Sequence, residues 1–178
     1  MSAITIRPEI PADIPAIFNV NLRAFGQPAE AELVNALRRE GDFIPELSMV
    51  AVDGGIIAGH ILFPPISIDS PAGRVPALAL APMAVLPEYQ HRGIGSQLVR
   101  HGLAACRRLG HHIVVLVGHP DYYLRFGFMP ARRYGIEAPF PVPDEAFMVL
   151  GLDEGALDGI RGTVRYPGGF DAVSGQGK

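Results

Sequence analysis

The chain has 178 residues, 48% of them apolar and 19% charged, which is enough apolar material to bury a sizeable core and excludes the disordered and fibrous classes. A net charge of -3 with both signs mixed along the sequence gives no electrostatic footprint for nucleic acid or an anionic membrane, so neither partner is expected. A single cysteine, Cys106, cannot form an internal disulfide, and Met1–Ile10 lacks the basic start and apolar run of a secretory signal, so a cytoplasmic setting is expected.

Ala3-Ile4-Thr5-Ile6-Arg7 alternates apolar and polar residues as a half-buried strand does, and Pro8 and Pro11 end it. A helix is predicted next: Asp13 stands at its start, Pro15 fits its first turn, and Ile14, Ile17, Phe18, Leu22 and Phe25 recur at helical spacing. Gly26 and Pro28 break the pattern. Ala29–Arg39 then reads as a second helix with Leu33, Val34 and Leu37 inward. Ser48–Val52 and Ile56–Ile68, joined at Asp53-Gly54-Gly55, read as an antiparallel hairpin. After a turn at Ser70–Gly73, Val75–Val85 reads as a third long strand, in which Pro82 predicts a bulge or a local loss of pairing because it cannot donate to a ladder. The longest apolar stretch, Val75–Leu86, is too short to cross a membrane.

Gly93–Leu109 separates into two faces at about 100° per residue. Ile94, Leu98, Val99, Leu103, Ala105, Cys106 and Leu109 lie on one, and Ser96, Gln97, Arg100, His101, Arg107 and Arg108 on the other. That is a surface helix packed on a sheet. Ile113–Val117 is continuously apolar, as a strand covered on both faces is, and the strand, helix, strand order implies a parallel crossover. Asp121–Phe126 reads as a short helix and Ala146–Leu152 as a strand. The glycine-rich remainder can add a short strand at Gly162–Tyr166 before a flexible tail. The fold class is mixed α/β, antiparallel in its first half, with one domain over 1–152 and a C-terminal extension over 153–178.

Chemistry concentrates where the third strand runs into the surface helix, at Gln90-His91-Arg92-Gly93-Ile94-Gly95-Ser96. Glycines at 93 and 95 let backbone approach a ligand, and a helix N-terminus offers unpaired N–H groups to an anion such as a pyrophosphate. A dinucleotide fingerprint fails because its third glycine position holds Leu98, and a P-loop run is nowhere in the chain.

Pro87–Leu98, with Gln90, Gly93 and Gly95, resembles the QxxGxG acetyl-CoA signature of the GNAT superfamily of N-acetyltransferases. Leu80–Val85 resembles that family's bulged fourth strand, and Tyr122–Phe128 resembles the short helix and GF turn after its fifth. The resemblance spans roughly residues 3–152, with its specific motifs between Leu80 and Phe128. It implies a GNAT fold with strands four and five splayed, and acetyl-CoA as cosubstrate without a metal. The acetyl group would pass directly to a primary amine in a ternary complex. It further implies that Met83 and Val85 supply backbone bonds to pantetheine, that Gln90, Arg92, Gly93, Gly95 and Ser96 form the pyrophosphate loop, and that Tyr123 is the general acid. Tyr123 is preferred to Tyr122 because it stands four residues before Gly127. A non-catalytic acyl-CoA sensor built on the same fold is the alternative.

The strand from Pro76 to Met83 carries no carboxylate, which leaves the general base open. His60 is a candidate because its ordinary pKa suits taking a proton from an ammonium near neutrality. Glu30 and Glu32 are acceptor-side candidates, and His119 is a secondary one that fits a turn before Pro120 equally well. His111, His112 and His119 lack the carboxylate or cysteine company of a metal site, and Cys106 is expected to pack rather than react. Acceptor identity and oligomeric state are not encoded in these patterns.

Overall fold

The structure, a computed structural model, describes residues 3–171. In chain order its elements are β1 (Thr5–Pro8), α1 (Ile14–Phe25), α2 (Ala29–Arg38), β2 (Ser48–Asp53), β3 (Ile56–Leu62), β4 (Pro65–Ser70) and β5 (Gly73–Ala79). Then follow β6 (Met83–Val85), α3 (Ile94–Arg108), β7 (Ile113–Val117), α4 (Pro120–Tyr123), β8 (Met129–Pro130), β9 (Ile136–Glu137), β10 (Phe147–Gly151) and β11 (Gly162–Arg165).

These elements form two compact units. The first takes the described residues up to Pro64, Ala81–Ala105 and those from Gly168; the second takes Pro65–Leu80 and Cys106–Pro167. Each is assembled from segments far apart in sequence, so no linker or shift in composition marks a boundary.

In the first unit the strand order is β1-β2-β3-β6, all antiparallel. Helix α1 ends at Gly26, whose φ of 68° is the left-handed conformation glycine adopts without strain, and its N–H closes onto the Leu22 carbonyl. Ile17 of α1 and Leu33, Val34 and Leu37 of α2 pack with Val50 and Leu62, each worth roughly 1.5–3 kcal/mol by burial. Phe170 packs against the same cluster, and the Gly169 N–H donates to Glu40 at 2.8 Å. Residues 168–171 therefore dock on the first unit. The expected flexible tail, where it concerns residues 172–178, lies outside the described residues.

Helix α3 comes close to β3 because glycines stand at the contact. A side-chain carbon at Gly59 would lie 3.0 Å from Leu98 Cδ1 and 3.2 Å from Ile94 Cγ2, and one at Gly102 would overlap the Phe63 ring. The inward face of α3 is as predicted except at Leu109, which is 43% exposed because the helix ends one residue earlier.

The second unit has the order β8-β10-β7-β5-β4-β11-β9, with parallel pairs β5–β7 and β11–β9 and antiparallel pairs elsewhere. The parallel pair β5–β7 is the crossover expected from the strand, helix, strand order, and Ile113–Leu116 are buried. The Gly162–Tyr166 segment forms β11, which pairs with β4.

Two predicted strands are each broken in two. Ile56–Ile68 divides at Phe63-Pro64 into β3 and β4, because Pro64 and Pro65 bring no N–H to a ladder. Val75–Val85 divides at Leu80–Pro82 into β5 and β6, with a cis bond at Ala81-Pro82. Pro82 thus ends the pairing, the second of the two effects expected of it. Strand β6 leaves the sheet that holds β5 and β7 and is the last strand of the other.

Candidate functional site

The Gln90–Ser96 loop lies wholly in the first unit, and the strand β6 leads into it. Bonds from Leu62 N to Pro82 O (3.1 Å) and from Leu86 N to Ala58 O (2.8 Å) bracket the His60–Ala84 pair. An antiparallel ladder alternates, so Pro82, Ala84 and Leu86 turn their polar backbone toward β3 while Met83 and Val85 turn theirs to the opposite edge. Among the described residues no strand pairs with that edge. Met83 and Val85 thus present a row of main-chain donors and acceptors that an extended amide chain can pair with.

Beyond β6 the turn Pro87–Tyr89 is tied down from two sides. Arg23 of α1 makes a bidentate pair with Glu88 at 2.8 and 2.9 Å, and this hydrogen bonding holds the Glu88 carboxyl below its ordinary pKa. Gln90 Nε2 donates to the Val85 carbonyl at 3.0 Å. Gln90 therefore braces the loop with its side chain against β6, leaving the Val85 N–H as the more open of that residue's two groups. Arg92 is exposed, with its guanidinium carbon 5.2 Å from the centre of the Tyr89 ring.

His91 has a φ of 64° and Gly93 a φ of 80°, so two left-handed residues flank Arg92 just before α3. For His91 that conformation costs about 1–3 kcal/mol and is a mark of functional loops. It curls the backbone so that successive N–H groups can point into one concavity. At this end Gln97 N donates to Gly93 O at 3.1 Å, so the amides of Gly93, Ile94 and Gly95 come before that first α-helical turn closes. Backbone donors, the helix dipole and the Arg92 charge gather where a doubly charged phosphate group fits.

His60 points the other way. It is fully buried, its Nδ1 lies 3.2 Å from Asn21 Nδ2 and its Nε2 lies 2.9 Å from Ser48 Oγ. Asn21 Nδ2 also donates to Ile17 O, so the amide is the donor to Nδ1, the ring proton sits on Nε2, and Ser48 in turn donates to Glu9. Glu9 is held by Arg38 at 2.9 and 3.1 Å. Burial first, and the Arg38 charge second, lower the His60 pKa from 6.5 to about 3. A general base must touch the proton it takes, and this imidazole is enclosed with both nitrogens engaged. The expectation of His60 as an acceptor-facing residue is thereby corrected: it belongs to the core of the first unit.

Of the remaining candidates in this unit, Glu30 accepts from Gln27 at 2.8 Å and Glu32 is exposed on α2. Tyr123 and its neighbours lie in the second unit. The α4 turn opens at His119, whose carbonyl accepts from Tyr122 N and Tyr123 N, both at 3.2 Å, while its side chain is exposed. His119 therefore carries the turn role. The Tyr123 ring stands edge to face with Tyr122 (4.9 Å, 86°) and with the fully buried Phe128 (5.9 Å, 76°). Burial raises the phenol pKa above its ordinary value of 10.0. Its hydroxyl has no hydrogen-bond partner among the described residues, yet it is not one of the buried unsatisfied atoms, so it reaches solvent. Tyr122 is instead covered by Arg125, whose guanidinium carbon lies 4.7 Å from the ring centre. Cys106 is buried and its thiol is pushed up to about 12, which suits packing and not nucleophilic attack.

The sequence pattern of the acetyltransferase (GNAT) domain matches residues 5–131. The chain belongs to the GNAT acetyltransferases. Among its GNAT relatives is the N-acetyltransferase YhbS of Escherichia coli strain K12, 37% identical over 162 residues that cover 90% of this chain and 95% of that one. The crystal structure of E. coli YhbS in complex with CoA superposes with a TM-score of 0.89 at 34% identity, covering 96% of this chain and 93% of the other. A GNAT acetyltransferase from Brucella melitensis, in complex with acetyl-CoA, gives a TM-score of 0.79 at 33% identity over 96% and 100% of the two chains. This GNAT chain is accordingly an acyltransferase of the N-acetyltransferase kind. No helix among its described residues is long and apolar enough to cross a membrane.

Sequence reasoning missed three features of the site. The left-handed His91 carries only a weak signal, because histidine is enriched at positive φ but adopts it in a small minority of positions. The Arg23–Glu88 clamp joins residues 65 positions apart. Gly118 reads in the sequence as an ordinary strand end, and the Tyr123 ring that occupies the space beside it gives no sign there.

Proposed function

We propose that this chain transfers the acetyl group of acetyl-CoA directly to a primary amine within a ternary complex. The observation that carries the reading is the free edge of β6 running into the left-handed turn and open N-terminus of α3. An extended amide arm ending in a pyrophosphate is the ligand that uses both. In this reading Met83 and Val85 pair with the pantetheine arm, and the amides from Gly93 to Ser96, with Arg92, hold the pyrophosphate. Gln90 keeps the loop in register with β6. The cosubstrate supplies an acyl group activated as a thioester. An N–C bond forms as the C–S bond breaks, the amine gives up one proton to solvent, Tyr123 supplies the proton the departing sulfur gains, and the resulting phenolate recovers a proton from solvent. Two GNAT relatives crystallised with CoA or acetyl-CoA add support.

Acetyl-CoA at a hundredfold excess over its Kd should stabilise the protein by about 2.7 kcal/mol, read as a rise in unfolding midpoint. Gly93→Val should abolish the rise. A side-chain carbon at Gly93 meets no protein atom within 4 Å, so the damage comes from the φ of 80°, which a β-branched residue resists, and from obstructed approach to the phosphate. A midpoint that acetyl-CoA leaves unmoved in the parent protein overturns the reading. A midpoint that rises without turnover on any primary amine supports the sensor alternative.

A further inference from the structure

We propose that Gly118 is a positioning residue for Tyr123: the missing side chain at 118 is the space in which the tyrosine ring lies, and it sets where the hydroxyl is presented. The proposal rests on the reading of Tyr123 as the proton donor. Gly118 follows β7 directly, and its backbone is fixed by a bond from its N–H to Ala146 O at 2.9 Å. Its φ lies outside the left-handed region, so no backbone conformation demands glycine there. What demands it is the ring. A side-chain carbon at 118 would lie 2.5 Å from Tyr123 Cε2, 2.9 Å from Cδ2 and 3.3 Å from Leu116 Cδ1.

The ring has nowhere cheap to go. Phe128, fully buried, stands against it, Tyr122 meets it edge to face, and Phe126 lies 6.4 Å away between centroids. Both Tyr122 and Tyr123 are held at the backbone by His119 O. Cε2 adjoins the carbon that bears the hydroxyl, so moving that edge by the roughly 1 Å needed to restore contact distance carries the oxygen with it, a displacement large enough to matter at a reacting centre. A methyl group at 118 therefore changes the donor's position without touching any group that binds cosubstrate.

The test uses the full chain with its tyrosines labelled with carbon-13 at Cζ, coenzyme A as the probe, and Tyr123→Phe to assign the Tyr123 resonance. In the parent protein, coenzyme A should shift that resonance. In Gly118→Ala the shift should be lost while the Kd for coenzyme A is unchanged. A purely structural glycine would move neither selectively. If Gly118→Ala does not fold, the double variant Gly118→Ala, Tyr123→Ala should, because the methyl then occupies the vacated ring space. A Gly118→Ala spectrum that responds to coenzyme A as the parent does overturns the positioning role, as does a double variant that still fails to fold. A parent Tyr123 resonance indifferent to coenzyme A overturns the donor reading itself, and the positioning role with it.

Discussion

Tyr123→Phe is expected to lower turnover of acetyl-CoA with a primary amine by about a hundredfold or more while leaving acetyl-CoA binding near normal. The substitution keeps the ring that packs on Phe128 and Tyr122 and removes only a hydroxyl that has no hydrogen-bond partner among the described residues, so stability should change little. The sign of the pKa shift adds a second readout. Because burial raises the phenol's pKa, the donor stays protonated throughout the neutral range, and the activity it supports is lost only as pH rises beyond the ordinary tyrosine value of about 10. Steady-state kinetics with a panel of amines, alongside calorimetric titration of acetyl-CoA, measures both. Tyr122→Phe is the control: if it loses turnover while Tyr123→Phe retains it, the assignment is reversed.

The second large effect concerns stability in acid. His60 has a pKa of 6.5 when unfolded and about 3 in the folded protein. The folded value is depressed, so the contribution is fully present above pH 6.5 and is lost as pH falls toward 3, where the unfolded chain binds a proton that the native imidazole refuses. The full difference corresponds to an upper bound of roughly 5 kcal/mol, of which about half falls between pH 6.5 and 4.5. His111, which is also lowered by burial, contributes in the same direction. Urea unfolding of the parent and of His60→Gln at several pH values over that interval isolates the His60 share: the variant's stability should fall less steeply with acid. Identical slopes would show that His60 is not the group responsible.

The imidazole is held neutral by an enclosed chain from Asn21 through Ser48 to Glu9 and Arg38. Those five residues come from α1, β2, β3, α2 and the segment after β1. Their types were visible in the sequence, but nothing in their spacing brings them together. The same histidine that has the right intrinsic pKa for a base is removed from that role by where the fold puts it.

What the amino-acid sequence determined by itself was local. Helical and alternating periodicity placed α1, α2, α3, β2, β7 and β10 to within a residue or two, because burial of one face dictates where apolar side chains recur. Gly93 and Gly95 stood out because backbone that must approach a ligand before a helix favours glycine, and Gln90 stood out only through its resemblance to the family signature. Tertiary structure alone decided the rest. Pro82 was legible as a ladder breaker, Pro64 and Pro65 were not recognised as one within Ile56–Ile68, and that each predicted long strand would end one sheet and begin another depended on partners distant in sequence. The outward turn of Met83 and Val85 follows from which residues β6 pairs with on β3, and a one-residue slip would have reversed it. The room for Tyr123 depends on a side chain that is absent five residues earlier, and a missing atom leaves no pattern until the chain has folded around it.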